Sequence, residues 1–228
     1  MTIFVYSNQN MKTKLAVALL FLCAIPAFSQ SRLSPEMGGL IAEYHQQIDH
    51  LLLGEESSRF ILQVRPSFAP ECCLYFSDKT RELVLRESER NIWYAKGQGG
   101  TVKEYHCPAP ISVVEKLDSL FMVAVFSSSF MCSSFKHDGT TYELRTFGGR
   151  FAASCRPSGN DDSNCGRLVL VLSRLCEMVK VGNDEGVKGL LPEIDTLTDT
   201  FYELLPDGES IMHPETGFVF EKYDGARE

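Results

Sequence analysis

Helical stripes and short strand-like runs fall in separate stretches of this 228-residue chain. That separation predicts an α+β domain: an antiparallel sheet of about five to seven short strands with helices packed mainly on one face. Three observations carry the expectation. Four segments place apolar residues at helical spacing, and about six others are short, rich in aromatic or β-branched residues and bounded by turn formers. The strand-like runs between residues 59 and 107 are joined by turn-like segments, as an antiparallel meander requires.

Each element has its own reason. Ser34-Pro35-Glu36 reads as a helix start, with Ser34 as N-cap and Pro35 at the first helical position. Met37, Leu40, Ile41, Tyr44, Ile48, Leu51 and Leu52 form the apolar face of that helix, and Gly54 ends it. Phe60 to Val64 is a strand halted by Pro66. Cys72 to Phe76 is the next strand, Ser77 to Thr80 a turn, and Glu82 to Arg86 the returning strand. Asn91 to Ala95 is read as a further strand, followed by a glycine-rich turn over 97–100 and then Val102 to His106. Pro108 and Pro110 close the meander, and Pro110 opens a helix. Val113, Val114, Leu117, Leu120, Phe121, Ala124 and Val125 share one face of it. Val123 and Phe126 widen that face enough to predict deep burial.

Asp138-Gly139 favours a tight reversal into a strand carrying Tyr142 and Leu144. Gly148-Gly149 reverses the chain again into Phe151 to Ser154. Ser163 caps a helix with the stripe Leu168, Leu172, Leu175 and Val179, closed by Gly182 and Asn183. The last helix runs from Val187 to Leu205, and Pro192 forces a kink or restart near Leu191. Gly217 to Glu221 reads as a late edge strand.

The start of the chain predicts export. Lys12 and Lys14 precede an apolar run from Leu15 to Ile25, and Pro26-Ala27-Phe28-Ser29 follows, the order of a signal peptide over 11–29 cut before Gln30. The apolar run is about 11 residues, where a membrane span needs about 20. Met11 fits the role of initiator better than Met1, because residues 1–10 resemble no n-region. Cys23 follows Leu22, too bulky for a lipobox, so a lipid anchor is disfavoured. The expected product is a single domain over 30–228, periplasmic or secreted, with no membrane span.

Removing Lys12 and Lys14 leaves 20 basic against 30 acidic residues, a formal charge of −10. That balance disfavours nucleic acid, whose phosphates require a basic face. Cys72, Cys73, Cys107, Cys132, Cys155, Cys165 and Cys176 remain after cleavage, and export permits disulfides. Cys155 and Cys165 flank a polar, turn-rich loop and are the expected bridge. Cys72 and Cys73 on one strand point to opposite faces, and Cys176 on a helical stripe reads as a small core residue. The His, Cys and acidic residues match no metal-site spacing, and no cofactor is expected.

Sequence signals for chemistry are sparse. His137-Asp138 lies in a turn that Asp138-Gly139 already explains, and Ser158 lacks a nucleophile elbow. Trp93 and Tyr94, if on a strand, face opposite ways. One then packs in the core, and the other is exposed to stack on a sugar ring or anchor a partner. Arg150 and Arg156 bracket the Phe151 strand and are candidates for an anion. Trp93, Tyr94, Arg150 and Arg156 are thus the candidate binding residues.

The run Asp138-Gly139-Thr140-Thr141-Tyr142-Glu143-Leu144, the Pro157-to-Leu168 junction and Asn91-Ile92-Trp93 resemble elements of uncharacterised exported proteins of gut-associated Gram-negative bacteria. The resemblance covers residues 70 to 181. It implies a periplasmic or secreted setting and assigns no activity. The expected function is a non-catalytic exported domain that binds a protein or an envelope component. The alternatives are an inhibitor or immunity-type protein against a hydrolase or toxin, and a hydrolase using His106 or His137.

Overall fold

The computed structural model describes residues 33–35, 42–95, 100–129, 139–157, 161–205, 210–212 and 219–221. Strands β1 (Ser34–Pro35), β2 (Phe60–Pro66), β3 (Cys72–Ser77), β4 (Glu82–Ser88), β5 (Val102–Pro108), β6 (Thr140–Thr146) and β7 (Phe151–Cys155) form one sheet. Their spatial order is β1-β7-β6-β2-β3-β4-β5, and every neighbouring pair is antiparallel. A separate hairpin pairs β8 (Ser210–Met212) with β9 (Val219–Glu221). The helices are α1 (Ala42–Ile48), which runs on into a π-helical turn over Asp49–Leu53, α2 (Ile92–Ala95), α3 (Ile111–Phe126), α4 (Asn164–Lys180), α5 (Asp184–Gly189) and α6 (Leu191–Tyr202). The fold is α+β, as the segregated pattern predicts. None of the helices among the described residues is long and apolar enough to cross a membrane.

The period of two along each strand divides the core. Phe60, Leu62, Leu74, Phe76, Leu83, Leu85 and Leu144 point to one face and meet α3, α4, α5 and α6. Ile61, Cys73, Tyr75 and Val84 point to the other and meet Ile48 and Leu52 of the first helical segment and Ile92 of α2. Helix α3 lies against both the sheet and α6, and it buries almost every side chain from Val113 to Val125. Its Phe121 ring packs on Phe60 with centroids 4.9 Å apart.

Strands β2, β3 and β4 pair in succession as the sequence predicts, and β5 pairs with β4 beyond the helical residues 92–95. Helix α3 then carries the chain back across the sheet, so that β6 and β7 extend it on the far side of β2. The Ser163 hydroxyl caps α4 by accepting from the Gly166 amide at 3.1 Å. The Asn183 side chain caps α5, and Leu191-Pro192 restarts the helix as α6.

Three expectations are corrected. Ser34 and Pro35 do not begin a helix but pair with Ser154 and Ala153 as an edge strand, a position that tolerates proline's missing N–H. Residues 92–95 form a helical turn rather than a strand, because Asn91 caps them. No disulfide joins Cys155 to Cys165: both are thiols, buried in the main core between β7 and α4. The leader, the turn residues 96–99, Cys132, His137-Asp138 and Ser158 lie outside the described residues. Cys72 and Cys73 do face opposite layers, as alternation requires.

Gly166 tests the start of α4. A Cβ there would lie 1.7 Å from the Asp161 carbonyl oxygen. Alanine gains about 1 kcal/mol of helix propensity over glycine, which a backbone clash that close outweighs. Gly166→Ala is expected to lower the urea midpoint of unfolding, a net cost of about 1–3 kcal/mol.

Candidate functional site

Among the described residues, three of the four exposed large aromatics gather at one place; the fourth, Phe151, lies elsewhere, against Phe126 and Phe147. Trp93 is 53% exposed, Tyr94 60% and Phe68 75%. All three line an open cleft of about 290 Å³ at the ends of β2 and β6, beside α2. Tyr44, Arg65, Asn91, Thr141 and Arg156 complete its working wall.

A buried carboxylate sets the aromatic side of the cleft. Glu71 has no exposure to solvent. Its Oε1 accepts the Tyr44 hydroxyl at 2.7 Å, and its Oε2 accepts the Ile92 amide at 2.7 Å. The Ser88 hydroxyl lies 3.3 Å from the same Oε2. One side chain therefore fastens α1, α2 and β4 together. Burial, reinforced by the bond to Glu71 and its charge, pushes Tyr44 well above the ordinary phenol value, so the hydroxyl remains a donor. The Tyr44 ring in turn meets Trp93 edge-on, with centroids 5.1 Å apart.

Asn91 sets the loop side. Its Oδ1 accepts the Tyr94 amide at 3.2 Å, and its Nδ2 donates to the Ala69 carbonyl at 2.8 Å and the Pro66 carbonyl at 3.4 Å. The loop bearing Phe68 is thereby tied to the turn bearing Trp93. The Ser67 hydroxyl donates to the Gly139 carbonyl at 2.8 Å and closes the junction between β2 and β6.

The third side is ionic. Gln63 and Arg65 of β2 and Glu143 and Arg145 of β6 share one face of the sheet. Arg65 donates to Glu143 at 2.5 Å and to Gln63 at 3.0 Å. Arg145 binds Asp49 at 2.9 Å and also contacts Glu143. Gln63 donates to Asp49 at 2.9 Å. Burial opposes charge on Glu143, but Arg65 and Arg145 outweigh it and hold the carboxyl below the usual range. Burial likewise works against Arg145, and Glu143 and Asp49 more than offset it, holding the guanidinium above its ordinary value. Arg156 follows β7, and its Nε donates to the Thr141 hydroxyl at 2.5 Å.

Three of the four sequence candidates, Trp93, Tyr94 and Arg156, therefore line one cleft. Both aromatics are exposed, because a helical turn presents neighbouring residues to solvent where a strand would hide one. Arg150 sits in the turn at the opposite end of β7, roughly 20 Å of extended chain away. Tyr44, Arg65, Phe68, Asn91 and Glu71 were not among the candidates. The polar and charged residues alternating in two strands, Gln63/Arg65 and Glu143/Arg145, were the available signal.

His106 is exposed on β5 and places Nδ1 3.0 Å from Glu82 and Nε2 2.9 Å from Glu104. Both ring nitrogens therefore face carboxylates rather than a hydroxyl or thiol that they could activate. Among the described residues, no three His, Cys, Asp or Glu side chains converge as metal ligands would. Comparison of the chain with family models, characterised proteins and solved structures finds no match.

Glu143 adds stability that is complete above its unfolded value near 4.5 and is lost as pH falls through its lower folded value. Glu143→Gln leaves two buried guanidinium groups short of a counter-charge, at an expected cost of about 3 kcal/mol at neutral pH. In urea titrations the gap between the two proteins is expected to narrow as the pH is taken below 4.5.

Proposed function

We propose that this chain is an exported, non-catalytic binding domain and that the cleft around Trp93 is where it binds. One observation carries the reading. Three large aromatics are held out of the core on a hydrogen-bonded frame, beside an arginine. Exposed Trp, Tyr and Arg side chains are the types that dominate binding energy at interfaces. Leaving them in water costs apolar burial that the fold would otherwise use. The export part rests on the sequence of residues 11–29 and on the resemblance stated above.

The arrangement suits a protein or envelope component that offers a flat or apolar group with an acceptor such as a carboxylate beside it. The ring faces take the apolar group, and the Arg156 guanidinium takes the acceptor. The frame is rigid, so the cleft pays little ordering cost on binding. If the captured partner were a hydrolase or toxin whose activity falls on binding, the same cleft would make this an inhibitor or immunity-type protein.

Trp93 is the chain's only tryptophan, so its fluorescence reports the cleft directly. Partner capture from an envelope extract, followed by fluorescence titration with the captured component, tests the reading. Trp93→Ala and Arg156→Ala are each expected to weaken binding by roughly 10- to 100-fold. Arg150→Ala, at the far end of β7, is expected to leave it unchanged. A partner that binds Trp93→Ala as tightly as the parent protein would overturn the assignment. So would substrate turnover that a point substitution outside the cleft abolishes.

A further inference from the structure

We propose that Cys72 and Cys176 form an oxidisable thiol pair, a modification site at which a small-molecule disulfide converts them into one crosslink between β3 and α4. The inference does not depend on what the cleft binds.

The sheet register supplies the first argument. Glu87, Cys72, Val64, Tyr142 and Cys155 stand side by side across β4, β3, β2, β6 and β7. Helix α4 crosses that row. The Lys180 ammonium lies 3.0 Å from Glu87, and Cys165, at the start of the helix, is buried in the same core as Cys155. Cys176 is four residues before Lys180 and eleven after Cys165, hence on the same helical face. It therefore comes down on the row near its Glu87 end, where Cys72 stands.

The sulfur chemistry supplies the second. Both thiols are only partly buried and pack at the margin of the same main core. The neighbouring Cys72 and burial together raise Cys176 above the ordinary thiol range.

Other pairings meet obstacles. Cys73 points to the opposite face of the sheet. Cys155 is three strands from Cys72, about 14 Å away. Cys165 lies eleven residues before Cys176 on α4, about 16 Å along the helix axis. Bridged cysteines need Cα atoms within about 7 Å.

The step balances with a small disulfide as oxidant. The thiolate of one of the two cysteines attacks its S–S bond, releases one small thiol and leaves a mixed disulfide. The other cysteine then displaces the second small thiol. Two protein S–H bonds and one reagent S–S bond break, and one protein S–S bond forms. The two protons and two electrons leave with the released thiols.

Incubation of the full chain with oxidised glutathione, alkylation and peptide mapping tests the proposal. The expected product has lost two hydrogens and two alkylatable thiols, and Cys72 is linked to Cys176. Its melting temperature is expected to rise by roughly 5–10 °C, since the link closes a long loop. Cys72→Ala and Cys176→Ala should each abolish the link, while Cys73→Ala and Cys155→Ala should retain it. A link mapped to any other pair would overturn the proposal, as would recovery of Cys72 and Cys176 both alkylated after treatment. The map of the unsubstituted chain decides the matter even if a variant fails to fold.

Discussion

A single carboxylate shut away from water, Glu71, is the constraint on which the smaller layer and its cleft depend. An ionised carboxylate loses several kcal/mol of hydration on burial and must recover it from donors fixed around it. Here the donors are the Tyr44 hydroxyl of α1 and the Ile92 amide of α2, each at 2.7 Å. Helix α2 is four residues long, too short to persist by itself. It stands where it does because its first amide has an anion to bind and Asn91 caps it. Trp93 is held out of the core as a consequence.

The two faces of the sheet are stabilised in different ways. The face under α3, α4, α5 and α6 is mainly apolar, with Thr146 buried in it and the Glu87–Lys180 pair at its margin, and its energetics are chiefly those of close packing. The other face is divided. Its β3 and β4 half buries Cys73, Tyr75 and Val84, while its β2 and β6 half carries Gln63, Arg65, Glu143 and Arg145. The charges of Arg65, Glu143, Arg145 and Asp49 sum to zero, and their mutual contacts offset the hydration that burial removes from each. It also fixes register, because a slip of one residue would turn Arg65 or Glu143 into the apolar layer. The cleft lies at the end of this polar half, and its floor is stiff because every element beneath it is cross-bonded.

Much of the fold could be read from local chemistry. The meander, the Ser163 cap and the restart at Leu191-Pro192 each follow from a few adjacent residues. The errors came where a distant partner decides. Ser34-Pro35 has the local grammar of a helix start, yet β7 offers a strand edge. Asn91 to Ala95 has strand-like residues, yet Asn91 and Glu71 together take up the amides of a helical turn. Cys155 and Cys165 flank a short loop, yet core packing takes up both sulfurs. Trp93, Tyr94 and Arg156 were legible as candidates because their side-chain chemistry is distinctive. That they meet, and that Arg150 does not join them, is set by the strand order, which no local signal encodes. Glu71 is invisible in sequence for the same reason: its two closest donors lie 27 residues before it and 21 after it.

Hydrogen exchange on a Glu71→Ala variant tests the central claim most directly. If the buried carboxylate fastens the smaller layer, amides of 42–48 and 92–95 will exchange far faster in the variant, Trp93 emission will change, and the central strands β2, β3 and β6 will keep their protection. Unchanged exchange at 92–95, with Trp93 in its original environment, would contradict the account and leave the cleft without its organising group.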